Sequence, residues 1–320
     1  MQITLVASHN GYGHARRIYE LGKVFNDKKI KVKILLSKKQ INLIELEPLS
    51  KNLDFFIASE SFGIDGYVKT SSVTTITKDT LRMIQSSDAI ICDNLLWPTE
   101  YNPNAYVHGH FLWQQVLTDL GADVLQNELY LLERAKAWFR NHNFKLDEKT
   151  LYHNKTEIVE VECMRYELDY LLSNLPVKNN EIWICGGSQV ENKKSIKDLG
   201  LSSNNYIVKY FETYQMINLG YKPKFVMGRP GLGTIRDCLA AGVQFFPINV
   251  NFDFEMQSNV ENMIKLRILP KNYLEILTRE PQIELLDSIV VSISDTLEIW
   301  DAISVSLNKY SEQLLEKMVF

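Results

Sequence analysis

One pattern constrains this chain of 320 residues more than any other: a short apolar run, a glycine turn and a helix, present at the start and restarting near residue 181. Gln2–Ala7 is an apolar run of strand length that closes in polar and glycine residues. His14–Phe25 then places Ile18, Leu21, Gly22 and Phe25 at helical spacing. Further strands are expected at Lys31–Leu36, Phe55–Ala58, Ala89–Cys92 and Tyr106–Leu112, with an amphipathic helix over Val124–Phe139. The polar stretch Ser173–Asn180 reads as a linker. Beyond it, strands are expected at Glu181–Cys185, Tyr206–Lys209, Phe225–Gly228 and Gln244–Ile248, with helices between them that include Thr234–Ala241. Residues 283–318 hold no Pro or Gly and read as helical, with the last helix packing back on the first domain. Strands alternating with helices imply parallel sheets covered on both faces, an α/β class. The expected domains are 1–172 and 181–320, joined by 173–180. Ligands of such sheets bind at the carboxyl ends of the strands, in the cleft that two such domains make.

Composition removes several alternatives. Lys and Arg number 35 against 39 Asp and Glu, so the net charge of -4 gives no global field for nucleic acid. Cys92, Cys163, Cys185 and Cys238 are scattered without a CxxC pair, which argues against zinc knuckles and disulfide scaffolds. They read as reduced, buried thiols of a cytoplasmic protein. No apolar run approaches the roughly 18 residues of a membrane span. Contact with the inner face of a membrane remains an expectation compatible with this.

Three glycine-rich turns carry the candidate chemistry. In the first, Gly11-Tyr12-Gly13-His14 follows a strand and opens a helix. Free N–H groups at a helix start favour an anion, and His14 is placed to act as a base or donor. Arg16 stands where a dinucleotide fingerprint needs its third glycine. The second is Gly186-Gly187-Ser188, at the end of the first strand of the second half. The third is Gly228-Arg229-Pro230-Gly231-Leu232-Gly233-Thr234, with Asp237 one turn into the following helix. Asp253-Phe254-Glu255 opens a later helix that also carries Gln257 and Asn259. Asp93, Asn94 and Trp97 follow a strand end; they suit either a face toward an acceptor or an Asx turn with Trp97 beneath it. His108 and His110 alternate on one expected strand without a third metal ligand.

The segment GRPGLGTIRDCLAAGVQFFPINVNFDFEMQSN resembles the donor-binding region of GT-B glycosyltransferases, most closely family 28 and the peptidoglycan N-acetylglucosaminyltransferase. Gly231, Gly233, Thr234, Asp237, Ala241, Gly242, Pro247, Glu255, Gln257 and Asn259 carry that resemblance, and ICGGSQ adds to it. The turn GYGHARR is similar to the same family and to the nucleotide-sugar hydrolase of pseudaminic acid synthesis. Asp237 stands where the family usually has Glu, and Gln244 where it commonly has Pro.

The resemblance implies two Rossmann-like domains facing a cleft, with transfer of a sugar from a UDP-sugar to an acceptor hydroxyl. Inversion and independence of metal and cofactor are implied with it. Gly187, Ser188, Arg229, Gly231, Gly233 and Thr234 would hold the diphosphate, Asp237 the ribose, and Glu255 and Gln257 the donor sugar. His14 would be the base, with Gly11, Gly13 and Asp93 on the acceptor side. The implied acceptor is a glycan, a lipid-linked sugar or a protein, as in cell-surface glycan synthesis. A hydrolase using His14 to activate water is the alternative, and a non-catalytic scaffold partner the third reading.

Overall fold

Two sheets of strongly apolar strands organise the chain. The structure, a computed structural model, describes residues 1–9, 12–38, 40–41, 53–58, 76–119, 130–146, 155–186, 206–213, 215–248, 254–278 and 293–318. By contacts it divides into two compact units: Met1–Glu162 with Ser306–Phe320, and Cys163–Val305.

The first unit is built on a seven-stranded sheet. Its strands are β1 (Gln2–Val6), β2 (Lys31–Ser37), β3 (Asp54–Ala58), β4 (Ala89–Asp93), β5 (Ala105–His108), β6 (Ala137–Asn141) and β7 (Glu157–Val161). They lie in the order β3-β2-β1-β4-β5-β6-β7, and every neighbouring pair is parallel. β4 and β5 are buried throughout, as strands covered on both faces must be. Helix α1 (Tyr12–Asp27) turns Ile18, Leu21 and Phe25 inward, as its periodicity requires. The C-terminal helix, Leu307–Lys317, belongs to this unit and packs on α1. Ser306 caps it by accepting from the Lys309 N–H, and Lys28 pairs with Glu312 at 3.0 Å.

The second unit carries a four-stranded sheet, order β10-β9-β11-β12, from β9 (Val177–Cys185), β10 (Ile207–Lys209), β11 (Lys222–Gly228) and β12 (Gln244–Pro247). All its pairings are parallel. Two short strands, β8 (Cys163–Arg165) and β13 (Ser304–Ser306), pair separately. Helices at Asp169–Asn174, Gln215–Leu219, Leu232–Ala241, Phe254–Lys265, Tyr273–Thr278 and Ile293–Ile303 complete the unit's described scaffold. The helix Leu232–Ala241 ends on Gly242 in the left-handed conformation, φ 65°, a common helix stop.

Several expectations are corrected here. The helix expected over Val124–Phe139 is absent where it is described: residues 130–134 form a 3-10 turn and β6 begins at Ala137. Trp138 and Phe139 are both fully buried, so β6 shows no alternation to tell it from a helix. The strand expected over Tyr106–Leu112 stops at His108, because Gly109 turns the backbone at φ 126°. His108 and His110 therefore do not share a strand face. The helical tail is interrupted at Ser304–Ser306 by pairing with β8. The division between units falls at Glu162/Cys163, and Val177–Asn180, expected in the linker, begin β9. Gly11, Gly187, Ser188 and Asp253 lie outside the described residues.

Candidate active site

The first unit gathers a hydrogen-bonded set of charged and polar side chains at the carboxyl end of its sheet. His14 and Arg17 stand three residues apart on α1 and so share a face. Asp93 ends β4, and its direct neighbour across the ladder is His108, the last residue of β5. Register thus puts a carboxylate beside an imidazole, and the start of α1 brings a second imidazole above them.

Asp93 is fully buried and saturated with donors. Arg17 Nε donates to Oδ1 at 2.9 Å and Arg17 Nη2 to Oδ2 at 3.0 Å. His14 Nδ1 lies 2.6 Å from Oδ2, and His108 Nδ1 lies 3.2 Å from Oδ1. Burial by itself would raise the Asp93 carboxyl, but Arg17, His14 and the hydrogen bonds from His108 and His14 hold it well below the usual carboxylate range. An ionised carboxylate only accepts, which assigns Nδ1–H to His14. The Arg17 Nη2 group 3.1 Å from His14 Nδ1 is then a second donor converging on the same oxygen. His14 Nε2 keeps a lone pair, and no hydrogen bond among the described residues reaches it. The His14 side chain is 12% exposed where Asp93 is wholly enclosed. This arrangement suits a base whose tautomer is fixed from behind.

Aromatic walls frame that base. The rings of Trp113 and Phe111 lie 5.8 and 6.4 Å from His14, and Trp113 Nε1 donates to Ser8 Oγ at 2.9 Å. Gln40 Nε2 donates to the Ser8 carbonyl at 2.7 Å, tying the end of β1 to the segment after β2. A Cβ on Gly109 would collide with the Asn94 side chain. Asn94, with its amide nitrogen turned inward, donates to the carbonyls of His108 and Phe111 at 3.1 and 3.2 Å. Of the two readings of the Asp93–Trp97 segment, Asn94 and the buried Trp97 serve the turn, while Asp93 serves His14. Gly13 is exposed in the first turn of α1, with open space around it.

In the second unit the ends of β9, β11 and β12 meet. Gly228 is level with Cys185 on one side and Pro247 on the other. A Cβ on Gly228 would collide with the Cys185 carbonyl, so glycine is required for this approach. Arg229 is exposed just beyond, Gly231 caps the helix Leu232–Ala241, and Gly233 and Thr234 lie in its first turn. Glu255 is buried and Gln257 exposed in the first turns of Phe254–Lys265. Asn259 of that helix donates to the Pro230 carbonyl at 2.9 Å, fastening it to the glycine turn.

Asp237 is not an open acceptor. Its Oδ2 accepts from Thr213 Oγ1 at 2.9 Å, and its Oδ1 from Arg236. Arg236 also donates to both oxygens of Asp169 at 2.9 Å and stacks 3.6 Å from the Tyr166 ring. Sequence reasoning missed Arg17, Thr213 and Asp169, and weighed His108 only as a metal ligand. Only Arg17 left a local signal, three residues after His14 in the quoted turn. Among the described residues no group of three or more His, Cys, Asp or Glu is placed to hold a metal ion.

No family model matches the chain, and no curated protein matches it by sequence. Solved structures do match, over nearly the full length of both chains. Arabidopsis thaliana UGT89C1 complexed with UDP-L-rhamnose superposes with a TM-score of 0.64 at 11% identity, covering 99% of each chain. Phytolacca americana UGT2, complexed with UDP-2fluoro-glucose and pterostilbene, gives 0.62 at 14% identity, over 99% of this chain and 98% of its own. The spinosyn forosaminyltransferase SpnP gives 0.60 at 9% identity, again over 99% and 98%. The chain has the GT-B fold. At these identities the likeness fixes GT-B architecture alone. No described helix is long and apolar enough to cross a membrane.

Proposed function

We propose that this protein is a glycosyltransferase that moves a sugar from a UDP-sugar to an acceptor hydroxyl, with His14 as general base. The observation that carries the reading is the His14–Asp93 pair, set at the carboxyl end of the first sheet in a chain with the GT-B fold. His14 Nε2 takes the acceptor proton, and the acceptor oxygen forms its bond to the sugar's anomeric carbon. The bond from that carbon to the diphosphate breaks from the opposite face, UDP leaves, and the anomeric centre inverts. Asp93 stabilises the imidazolium that results, and Arg17 keeps Asp93 ionised.

Donor contacts fall to the second unit. The helix start at Gly231, Gly233 and Thr234, with exposed Arg229, supports binding of the leaving diphosphate without a metal. Gly187 and Ser188, which follow Gly186 in the sequence, are also assigned to that charge. Glu255 and Gln257 are assigned to the sugar hydroxyls. Asp237 meets the ribose only if a ribose hydroxyl replaces Thr213 as donor to Oδ2.

The test is a panel of UDP-, GDP- and dTDP-sugars screened by thermal shift, followed by UDP release with His14→Ala. Stabilisation by UDP-sugars, with turnover lost roughly 10²–10⁴-fold at unchanged donor affinity, is expected. Rapid His14-dependent release of free sugar into water would establish the hydrolase instead. Unchanged turnover in His14→Ala would remove the base assignment from both.

A further inference from the structure

The hydrogen-bond chain does not stop at Asp93. His108 is buried, and both of its ring nitrogens are engaged: Nδ1 with Asp93 Oδ1 at 3.2 Å and Nε2 with the Tyr310 hydroxyl at 2.5 Å. Tyr310 is 2% exposed on the C-terminal helix, and its ring meets the His108 ring edge-on at 5.7 Å. The two residues are 202 positions apart in sequence, yet both belong to the first unit.

Only one proton arrangement satisfies the neutral set. Asp93, being ionised, accepts from both imidazoles, so His108 carries its proton on Nδ1. Nε2 of His108 is then an acceptor, and the Tyr310 O–H points at it. We propose that His108 and Tyr310 are positioning residues for the base: Tyr310 donates to His108 Nε2 and holds the ring in place, and His108 in turn holds the Asp93 carboxylate that orients His14. This rests on the reading of His14 as the base of the transfer reaction.

The electrostatics of the set make the neutrality of His108 matter. The groups facing it are Asp93 from β4, His14 and Arg17 from α1, and Tyr310 from the C-terminal helix. Burial pulls the His108 ring below the ordinary histidine range, against the pull of Asp93, and Arg17 and His14 add to the lowering. A neutral His108 leaves Asp93 facing one fixed cation, Arg17, and free to stabilise a second one on His14 during turnover. With Nε2–H in place of Nδ1–H, His108 would turn a lone pair toward the carboxylate. Asp93 would lose a donor, and the His14 imidazolium would face a less neutralised anion.

The test uses Tyr310→Phe in the full chain, which removes one hydroxyl and keeps the ring. Imidazole ¹H–¹⁵N spectra read the His108 Nδ1–H and its exchange with water without any substrate. The expected result is that the His108 Nδ1–H signal shifts and exchanges several-fold faster, because the ring has lost the hydroxyl that holds it. In parallel, UDP release from UDP-glucose with quercetin as acceptor probe should show kcat lowered several-fold and KM unchanged. Leu314→Ala, in the same helix, serves as the second variant: it loosens the buried packing while leaving the hydroxyl in place. It should lower the melting temperature without giving Tyr310→Phe's change in the His108 Nδ1–H signal. An unchanged His108 Nδ1–H signal and exchange rate in a folded Tyr310→Phe would overturn the proposal and leave Tyr310 a packing residue. If the wild type turns over no UDP-sugar, the transferase reading fails by that arm, while the spectra still decide the hydrogen-bond chain.

Discussion

Replacing Arg236 by Met tests whether the buried charge cluster of the second unit is held by pairing or by packing. Arg236 donates to both Asp169 oxygens and to Asp237, and its guanidinium lies over Tyr166. Burial alone would disfavour its charge, but Asp169 and Asp237 outweigh that and tighten its hold on the proton. Burial also lifts the Asp169 carboxyl above its usual range, with Arg236 only partly opposing the rise. Met keeps the apolar stem and removes the cation, leaving two buried carboxylates uncompensated. Breaking such a set typically costs about 3–5 kcal/mol. Asp169, already lifted by burial, loses the cation that opposed the rise and goes further above the unfolded carboxylate range. Just above that range the native state binds more protons than the unfolded chain, so stability must fall as pH rises through it. Urea unfolding at pH 7 and pH 5, followed through the buried Trp183 and Trp300 of this unit, should show the larger loss at pH 7 and a smaller one at pH 5. Equal losses at the two pH values would refute the reasoning and assign the effect to packing over Tyr166.

Asp93→Asn should cut UDP release toward the level of His14→Ala, because His14 Nδ1–H loses its acceptor; unchanged turnover would detach Asp93 from the base. The stability cost of Asp93→Asn should be largest near pH 7 and shrink on acidification. The depressed Asp93 carboxyl contributes above the unfolded value of about 3.9 and loses that contribution as pH falls through its lower folded value. Lys222→Met should cost about 1.5–3 kcal/mol in urea unfolding, since the buried ammonium donates to the Ser173 and Ala241 carbonyls at two helix ends. EDTA should leave UDP release unchanged; loss restored by a divalent ion would turn attention to Asp253 and Glu255 as ligands.

Much of the scaffold was legible because local pattern and final environment agree. Gln2–Ala7, Lys31–Leu36 and Ala89–Cys92 are short apolar runs, and all became central or near-central parallel strands. The glycine turn before Thr234 was legible for the same reason, its close approach to the Cys185 carbonyl being written in Gly228. What stayed hidden depends on partners remote in sequence. β6 looked helical because a strand buried on both faces loses its alternation. Ser304–Ser306 became a strand only by meeting β8, a pairing that no window of the tail contains. His14 and Asp93 each stood out at a strand end, but their pairing with each other, with Arg17 and with His108 did not. Asp93 sits across the sheet, and His108 reaches it by the register of β4 against β5. Asp237 was read as an open acceptor for the ribose because nothing local announces Thr213 or marks Arg236 as its partner.

The return of the C-terminal helix to the first unit has a consequence for biosynthesis. During translation, residues 1–162 leave the ribosome early, but the helix that covers α1 and reaches His108 follows only after all of residues 163–305. At about 5–20 residues per second, that interval is roughly 7–30 s. Throughout it the nascent first unit exposes the apolar face meant for Leu307, Tyr310 and Leu314, beside the buried imidazole that Tyr310 will later cap. The second unit is contiguous and is synthesised whole within that gap. The unit that starts folding first is thus the last to be finished, and His108 gains its Tyr310 partner only when the final helix docks.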